Sequence, residues 1–501
     1  MSVLPGQAEA VTPPSFFVTC TAGSNSSKTC QFGFEAASVS LNKRISSTAC
    51  VKGSNWSNTS RAVTVSKGCS AEFKVDMKSE RPNVVILTDI GQDPDDHQSL
   101  IRTLLYSNDI SLKAIVPTYR PGKPVGTDIV KATLAAYDKD LSRLQEHDIR
   151  FPRGEILLKR LKPGLNYNNA IGAGRDSEGS NYIINVVDQA QVPVWVLVWG
   201  GSRELAQALY KVKSARSASA YAAFQKKLRV YTISWSQYSD EPGDWMAANA
   251  KDMFWIVSAS YERTGTATFR GMYQLGDQSM QKESWIRTYI KSRGSLGALY
   301  PLNTTEDGMK EGDSPSLLHV LPTGLADPEW PKSGGWGGRY TKEPDYYKIS
   351  KNIYTSEFAK DTLGSVTDRK ASVARWRPAY QSDFAARAEW LEQSYAEANH
   401  PPEARINGAT FRTVRSGATV TLDASPSFDP DGDGLSYKWW VYKEASQYQG
   451  SVAIANNGNR TASLKAPTVA STQDLHVILE VKDSGSPPST RYQRVVLTLT
   501  P

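Results

Sequence analysis

The stretch Asn83-Val84-Val85-Ile86-Leu87-Thr88-Asp89-Ile90-Gly91-Gln92-Asp93-Pro94-Asp95-Asp96 governs how the rest of the chain is read. Residues 84–87 are an unbroken apolar run, which suits a strand buried on both faces because neither side meets water. The run leads into four carboxylates within eight residues, Asp89, Asp93, Asp95 and Asp96. Like charges so close repel unless a cation neutralises them. An all-oxygen donor set favours Ca²⁺, or less well Mg²⁺, over zinc. Gly91 allows the sharp backbone turn that lets the carboxylates converge. The plainer reading is a solvated helix start with Asp95 and Asp96 as caps. Asp89 stands before the turn, at the end of a buried strand, and that favours the cation.

Working outward, helical spacing follows at residues 99–106 (Leu100, Ile101, Leu104, Leu105), then a strand at Ala114-Ile115-Val116 and a helix at residues 129–136. Residues 194–198 and 228–233 repeat the buried-strand pattern. Strands alternating with helices predict an α/β fold with a doubly wound, mainly parallel sheet. Sites in such sheets form at the carboxyl ends of strands, which is where the acids stand.

A chain of 501 residues is long enough for about three domains. Residues 1–15 read as a disordered tail and residues 16–80 as a small disulfide-rich β domain. The α/β domain is expected over residues 82–395, and an immunoglobulin-like β-sandwich over residues 403–501, where β alternation resumes. All four cysteines, Cys20, Cys30, Cys50 and Cys69, fall in the second segment. Their spacing lacks the close pairs of a zinc site and implies disulfides, hence a secreted or periplasmic protein. Of the three pairings, Cys20–Cys30 with Cys50–Cys69 is preferred. Met1-Ser2-Val3 shows no signal-peptide pattern. The formal charge of +7 comes without a run of five Lys or Arg, so nucleic acid is not an expected partner. No apolar stretch reaches the 18 or so residues of a membrane span. The expected partner is a carbohydrate or glycoside, with self-association into a homo-oligomer left open.

The segment Val85-Ile86-Leu87-Thr88-Asp89-Ile90-Gly91…Asp95-Asp96 resembles the D-x-D-P-G-x-D-D signature of inosine–uridine-type nucleoside hydrolases. It is more similar still to their divergent relatives described as cellulose-binding, nucleoside-hydrolase-like proteins. That closer resemblance extends through Asp95-Asp96-His97-Gln98-Ser99-Leu100-Ile101-Arg102, Asp176-Ser177-Glu178-Gly179-Ser180, Val198-Trp199-Gly200-Gly201, Leu296-Gly297-Ala298-Leu299-Tyr300-Pro301, Glu311-Gly312-Asp313-Ser314-Pro315-Ser316 and Gly335-Trp336-Gly337-Gly338-Arg339-Tyr340. The sandwich after residue 400 fits the same family. The string around Cys50-Val51-Lys52-Gly53 and Gly68-Cys69-Ser70-Ala71-Glu72-Phe73 resembles a small uncharacterised domain of secreted bacterial proteins.

The resemblance implies roles. Asp89 would be calcium ligand and general base, Asp96 a bidentate ligand, the carbonyl of Trp199 a third ligand and Asp313 the last. Asp95 would hydrogen-bond a sugar hydroxyl. Two residues near Asp93-Pro94 are inserted relative to the nucleoside hydrolases, which makes Asp93 an additional carboxylate with a catalytic role of its own. Gly312 stands where those enzymes place a His before the late Asp. Their ribose-binding string is not recognisable; Ser234-Trp235-Ser236-Gln237…Asp240-Glu241 occupies its neighbourhood. Release of a nucleobase is therefore not expected.

Other candidates carry two readings each. Asp176 and Glu178 are sugar ligands or a proton donor, or else a surface loop. Trp199, Trp336 and Tyr340 stack on sugar, or are core aromatics. Arg339 meets an acidic sugar, or makes a structural salt bridge. His97 reads as a helix-surface residue and His319 as a packed one. Asp429-Pro430-Asp431-Gly432-Asp433-Gly434 resembles the turn of polycystic-kidney-disease-type sandwiches; its twelfth position is Trp440, so it is not an EF-hand loop. The function expected is a secreted Ca²⁺-dependent glycosidase acting on a furanoside or related glycan. The alternative is a carbohydrate-binding protein without turnover, and a true nucleoside hydrolase ranks last.

Overall fold

The computed structural model describes residues 15–77, 81–167, 170–235, 237–258, 267–342 and 352–501. Apart from Ser15, the tail expected to be disordered lies outside the described residues. Strands β1 (Ser15–Thr21), β2 (Ser27–Gln31), β3 (Ala36–Arg44), β4 (Trp56–Asn58), β5 (Ala62–Ser66) and β6 (Ser70–Met77) form two antiparallel three-stranded sheets, ordered β1-β6-β3 and β2-β5-β4. Cys20–Cys30 ties one sheet to the other, and Cys50–Cys69 ties the loop before β4 to the start of β6. So small a core gains from cross-links that restrict the unfolded chain.

The α/β domain begins with β7 (Asn83–Thr88), α1 (Asp95–Leu105), β8 (Ser111–Pro117), α2 (Thr127–His147), α3 (Gly154–Lys159), α4 (Glu178–Gln189), β9 (Val194–Val198) and α5 (Arg203–Ala215). It continues with α6 (Ala218–Lys226), β10 (Leu228–Thr232), α7 (Glu241–Asn249), β11 (Phe254–Val257), α8 (Glu283–Ile286), α9 (Gly294–Ala298) and α10 (Ser314–Val320). Strands β12 (Thr341–Lys342), β13 (Ile353–Thr355), β14 (Asp361–Leu363) and β15 (Val366–Asp368), then α11 (Ala371–Ala374) and α12 (Arg377–Glu389), complete it. The seven-stranded sheet runs β12-β13-β11-β10-β9-β7-β8, parallel except for β12. Every residue of β7 and β9 is buried. Val84 and Ile86 join the core on one face of the sheet, Val85 and Leu87 the core on the other. An apolar residue at each of positions 84–87 is thus required.

Helix α1 starts at Asp95, a turn before the apolar periodicity that predicted residues 99–106, because its first turn is made of polar residues. Helix α2 reaches 21 residues, well past the predicted 129–136. The chain leaves β7 for β8 on one side and later returns to β9 on the other. Winding direction therefore reverses between β7 and β9, and a crevice opens beyond their carboxyl ends.

The C-terminal domain contains β16 (Phe411–Arg415), β17 (Thr419–Asp423), β18 (Leu435–Val441), β19 (Ile454–Ala455), β20 (Thr461–Lys465), β21 (Gln473–Asp483) and β22 (Thr490–Thr500). They form two sheets, β16-β22-β21-β18 and β17-β20-β19, packed over Trp439, Leu422, Leu464 and Leu479. Polar contacts bolt this domain to the α/β domain. Asp361 accepts hydrogen bonds from Arg339 (2.7 Å), Arg375 (3.0 Å) and the Tyr442 hydroxyl (2.5 Å). Arg494 donates to the carbonyls of Leu325, Ser333 and Gly334.

Candidate functional site

Asp89 is the residue after β7, and Trp199-Gly200 follow β9 in the adjacent register. A Cβ on Gly200 would lie 2.8 Å from the Cβ and Cγ of Asp89, so the second loop touches the first only because residue 200 is glycine. Asp95 and Asp96 open α1, and neither caps it by a side-chain hydrogen bond. The Thr88 hydroxyl instead donates to Asp96, and the Tyr238 hydroxyl donates to Asp89 Oδ2. Asp313 arrives from the loop ahead of α10.

Asp89, Asp96 and Asp313 are only 2–3% exposed. Burial above all, then neighbouring carboxylates, pushes the carboxyls of Asp95, Asp96 and Asp313 well above the usual range. Asp96 feels Asp89 and Asp313 most among its neighbours. One oxygen of Asp313 is buried with no hydrogen-bond partner among the described residues. A buried acceptor without a donor, in a group of acids that cannot all ionise together, is the environment a hard cation satisfies. The donor set of Asp89, Asp96 and Asp313 therefore fits Ca²⁺. Among the described residues of the α/β domain, the acids whose carboxylate oxygens lie within 4.8 Å of one another are Asp93, Asp95 and Asp96, not the buried trio. Of the two groupings the buried trio fits the cation better, since Asp93 is exposed and already neutralised. Lys310 Nζ lies 2.6 Å from Asp93 and 3.1 Å from Asp95. Burial opposes its ionisation, but hydrogen bonds with Asp95 and Lys310 hold the Asp93 carboxyl low. Asp93 thus stands on the rim, paired with Lys310.

Two side chains of α1, one turn apart, hold the loop that delivers Asp313. Gln98 accepts the amides of Lys310 (2.9 Å) and Glu311 (3.0 Å) and donates to the carbonyls of Pro301 and Gly308. Arg102 makes a fully buried ion pair with Glu311, which also accepts from Tyr300 (2.5 Å) and Ser314 (2.7 Å). Glu311 itself sits at a positive φ of 42°. A Cβ on Gly312 would lie 3.0 Å from Asp95 Oδ2 and 3.1 Å from the Phe269 ring. A side chain at 312 would crowd the Asp95 carboxylate unless that carboxylate shifted. Thr88, Gln98, Arg102, Tyr238 and Lys310 were not singled out as site residues from sequence. Only the nearness of Lys310 to Asp313 in the chain could have pointed to one of them.

The remaining candidates lie elsewhere. Asp176 bonds Gln207 (2.8 Å) and Lys211 (2.7 Å) on α5, and Glu178 bonds Lys162 (2.8 Å); they flank Ser177, the N-cap of α4. They belong to a helix start rather than to the crevice. The Trp199 ring is buried with its Nε1 donating to Ser316 at 2.9 Å, so it offers no face to a sugar. Trp336 is 1% exposed, edge-on to Tyr380 and Tyr492, and Tyr340 is buried against Tyr231. Neither offers a face to a sugar. Arg339 makes the structural salt bridge with Asp361. His319 is packed, bonded to the carbonyl of Pro328 at 3.1 Å, and half-buried His97 bonds Thr133 at 3.0 Å. Ser236 lies outside the described residues, and Glu241 receives the amide of Ala170 at 3.1 Å. In the sandwich, Asp429 anchors its turn through the amides of Asp431 and Asp433.

This geometry has relatives. A family model described as the nucleoside hydrolase-like domain of cellulose-binding Sde182 matches residues 83–340. The model of the C-terminal domain of cellulose-binding protein Sde0182 matches residues 419–499, and a protein family of unknown function, DUF3011, matches residues 5–99. No curated protein matches the chain. A solved structure of a nucleoside hydrolase-related protein from Saccharophagus degradans, described as associated with carbohydrate metabolism, is 35% identical. That match covers 84% of this chain and 100% of the other, with a TM-score of 0.71. An inosine-uridine preferring nucleoside hydrolase from Bacillus anthracis is 12% identical over 62% of this chain and 99% of its own, with a TM-score of 0.33. The doubly wound sheet, the acids at its switch point and these two matched domains agree, and the chain belongs to the family of cellulose-binding, nucleoside hydrolase-like Sde182 proteins.

Proposed function

We propose that this chain binds carbohydrate in the crevice beyond β7 and β9 and hydrolyses a glycosidic bond there, in a furanoside or related glycan. The observation that carries the reading is the buried trio Asp89, Asp96 and Asp313, with one Asp313 oxygen lacking any partner among the described residues. Asp89, Asp96, Asp313 and the carbonyl of Trp199 would hold Ca²⁺, with Mg²⁺ the weaker fit. A bound Ca²⁺ supplies a Lewis acid that orients water and lowers its pKa. Asp89 takes the proton from water as general base, and Tyr238 positions it by occupying Oδ2. Asp95 accepts a sugar hydroxyl, with Lys310 screening its charge from Asp93. Negative groups around the sugar ring stabilise an oxocarbenium-like transition state. Two disulfides support a secreted or periplasmic location.

A second reading, binding without turnover, draws on Gly312. Residue 312 is glycine, so the proton donor that nucleoside hydrolases place at this position is missing. Product release from a panel of polysaccharides and nitrophenyl furanosides, with and without chelator, separates the two. Asp89→Asn is expected to lower kcat by about 10²–10⁴-fold, the usual contribution of a general base. Cellulose or another glycan retained by the protein, with no cleavage anywhere in the panel, would establish the second reading instead.

A further inference from the structure

Strand β18 contains Trp439 and Trp440 side by side, and strand alternation sends them to opposite faces. Trp439 enters the sandwich core; Trp440 faces outward, on the same face as Lys438. Across the ladder Lys438 pairs in register with Glu480, and Lys482 lies two residues on in β21. This outward face does not end in open solvent. It forms one wall of a cleft of about 790 Å³ whose other wall is built from the α/β domain: Trp285 in α8, Tyr289 in the turn after it, and Trp376 ahead of α12.

The lining combines aromatic rings with basic side chains. Trp285 and Tyr289 lie 5.0 Å apart with rings inclined by 30° and are the rings open to a ligand, whereas the Arg375 guanidinium lies over the Trp376 and Trp440 rings at 5.2 and 5.4 Å. Tyr289 is 36% exposed. The indole Nε1 atoms of Trp376 and Trp440 are buried without a hydrogen-bond partner among the described residues, behind the cleft surface. Lys438 and Lys482 are exposed and both attract Glu480, the single acid in the lining, so together with Arg375 the cleft carries an excess of positive charge. Stacked rings recognise pyranose faces; surplus ammonium groups recognise carboxylates.

We infer that this inter-domain cleft is a second glycan site, separate from the acidic crevice, and that it takes a pyranose chain bearing carboxylates, such as a polyuronate. The inference rests on the reading of this family as carbohydrate-binding but not on hydrolysis. It assigns opposite charge to the two sites: the cationic cleft holds an acidic chain, whereas the crevice concentrates carboxylates.

Calorimetric titration of the full chain with hexagalacturonate, cellohexaose and hexaglutamate at low salt tests it. Hexagalacturonate should bind, and should weaken about tenfold both in the Lys438→Ala/Lys482→Ala variant and on raising salt to about 0.5 M. Tyr289→Ala should weaken it as well, and circular dichroism should show each variant folded. Asp313→Asn should bind hexagalacturonate like the parent, which separates this site from the crevice even if no hydrolysis is ever found. Cellohexaose binding as tightly as hexagalacturonate would overturn the charge assignment. Hexaglutamate binding as tightly would overturn the role of the rings, and no heat with hexagalacturonate at millimolar concentration would overturn the site.

Discussion

Asp313 concentrates the problem that the crevice poses: a carboxylate removed from water, facing Asp95 and Asp89, with one oxygen unpartnered among the described residues. Its neutral isostere should relieve repulsion when no cation is bound. Asp313→Asn is therefore expected to melt a few degrees higher than the parent in chelator, yet to gain nothing from calcium. The parent should be stabilised by about 2.7 kcal/mol at a hundredfold excess of Ca²⁺ over its Kd. Equal calcium shifts in the two proteins would remove the cation from the account. His319 poses the opposite problem, a buried base. Burial pulls its imidazole down to about 4, against roughly 6.5 in an unfolded chain. Between those values the unfolded chain takes up a proton that the folded chain refuses. The stability due to neutral His319 is thus fully present above pH 6.5 and is lost as pH falls, by roughly 2 kcal/mol at pH 5. His319→Gln should be less stable than the parent at pH 7, with the gap narrowing by that amount at pH 5 in urea unfolding. A gap independent of pH would contradict the assignment.

At the level of elements, the crevice depends on β7 and β9 ending in register and on the loop after β9 pressing against Asp89. An added methyl at Gly200 has nowhere to go, since its contacts at 2.8 Å include the backbone nitrogen of Asp89. Gly200→Ala should cost about 1–3 kcal/mol and displace Asp89, weakening the calcium response and any hydrolysis at least tenfold. Gly458→Ala, where a Cβ would meet nothing within 4 Å, serves as the control and should change neither. Parent-like calcium binding in Gly200→Ala would show that the close approach is not needed. Strand β7 was legible in the sequence because burial on both faces demands an unbroken apolar run. The start of α1 was not, because its first turn consists of acids that carry no apolar period.

At the scale of the whole molecule, the sandwich is fastened by buried polar groups rather than by an apolar seam alone. The Tyr442 hydroxyl donates to Asp361, which also holds Arg339 and Arg375. Tyr442→Phe leaves that carboxylate one donor short, at a cost of about 1.5–3 kcal/mol. Calorimetry should show the melting of the C-terminal domain separating from that of the α/β domain; a single unshifted transition would mean that the domains are coupled elsewhere. Local pattern was enough to read the α/β class, the disulfide module, the sandwich and the acids after β7. Each of these is written in residues close together in the chain, as an apolar run, a cysteine cluster or a strand alternation. Which aromatics would face a ligand was not written there: Trp336 and Trp199 bury their rings, while Trp285 and Tyr289 line a cleft. Nor was the clamp formed by Gln98 and Arg102 on the loop of Asp313, more than 200 residues away. Side-chain exposure and long-range pairing depend on how separately folded elements pack, and only the tertiary structure sets that.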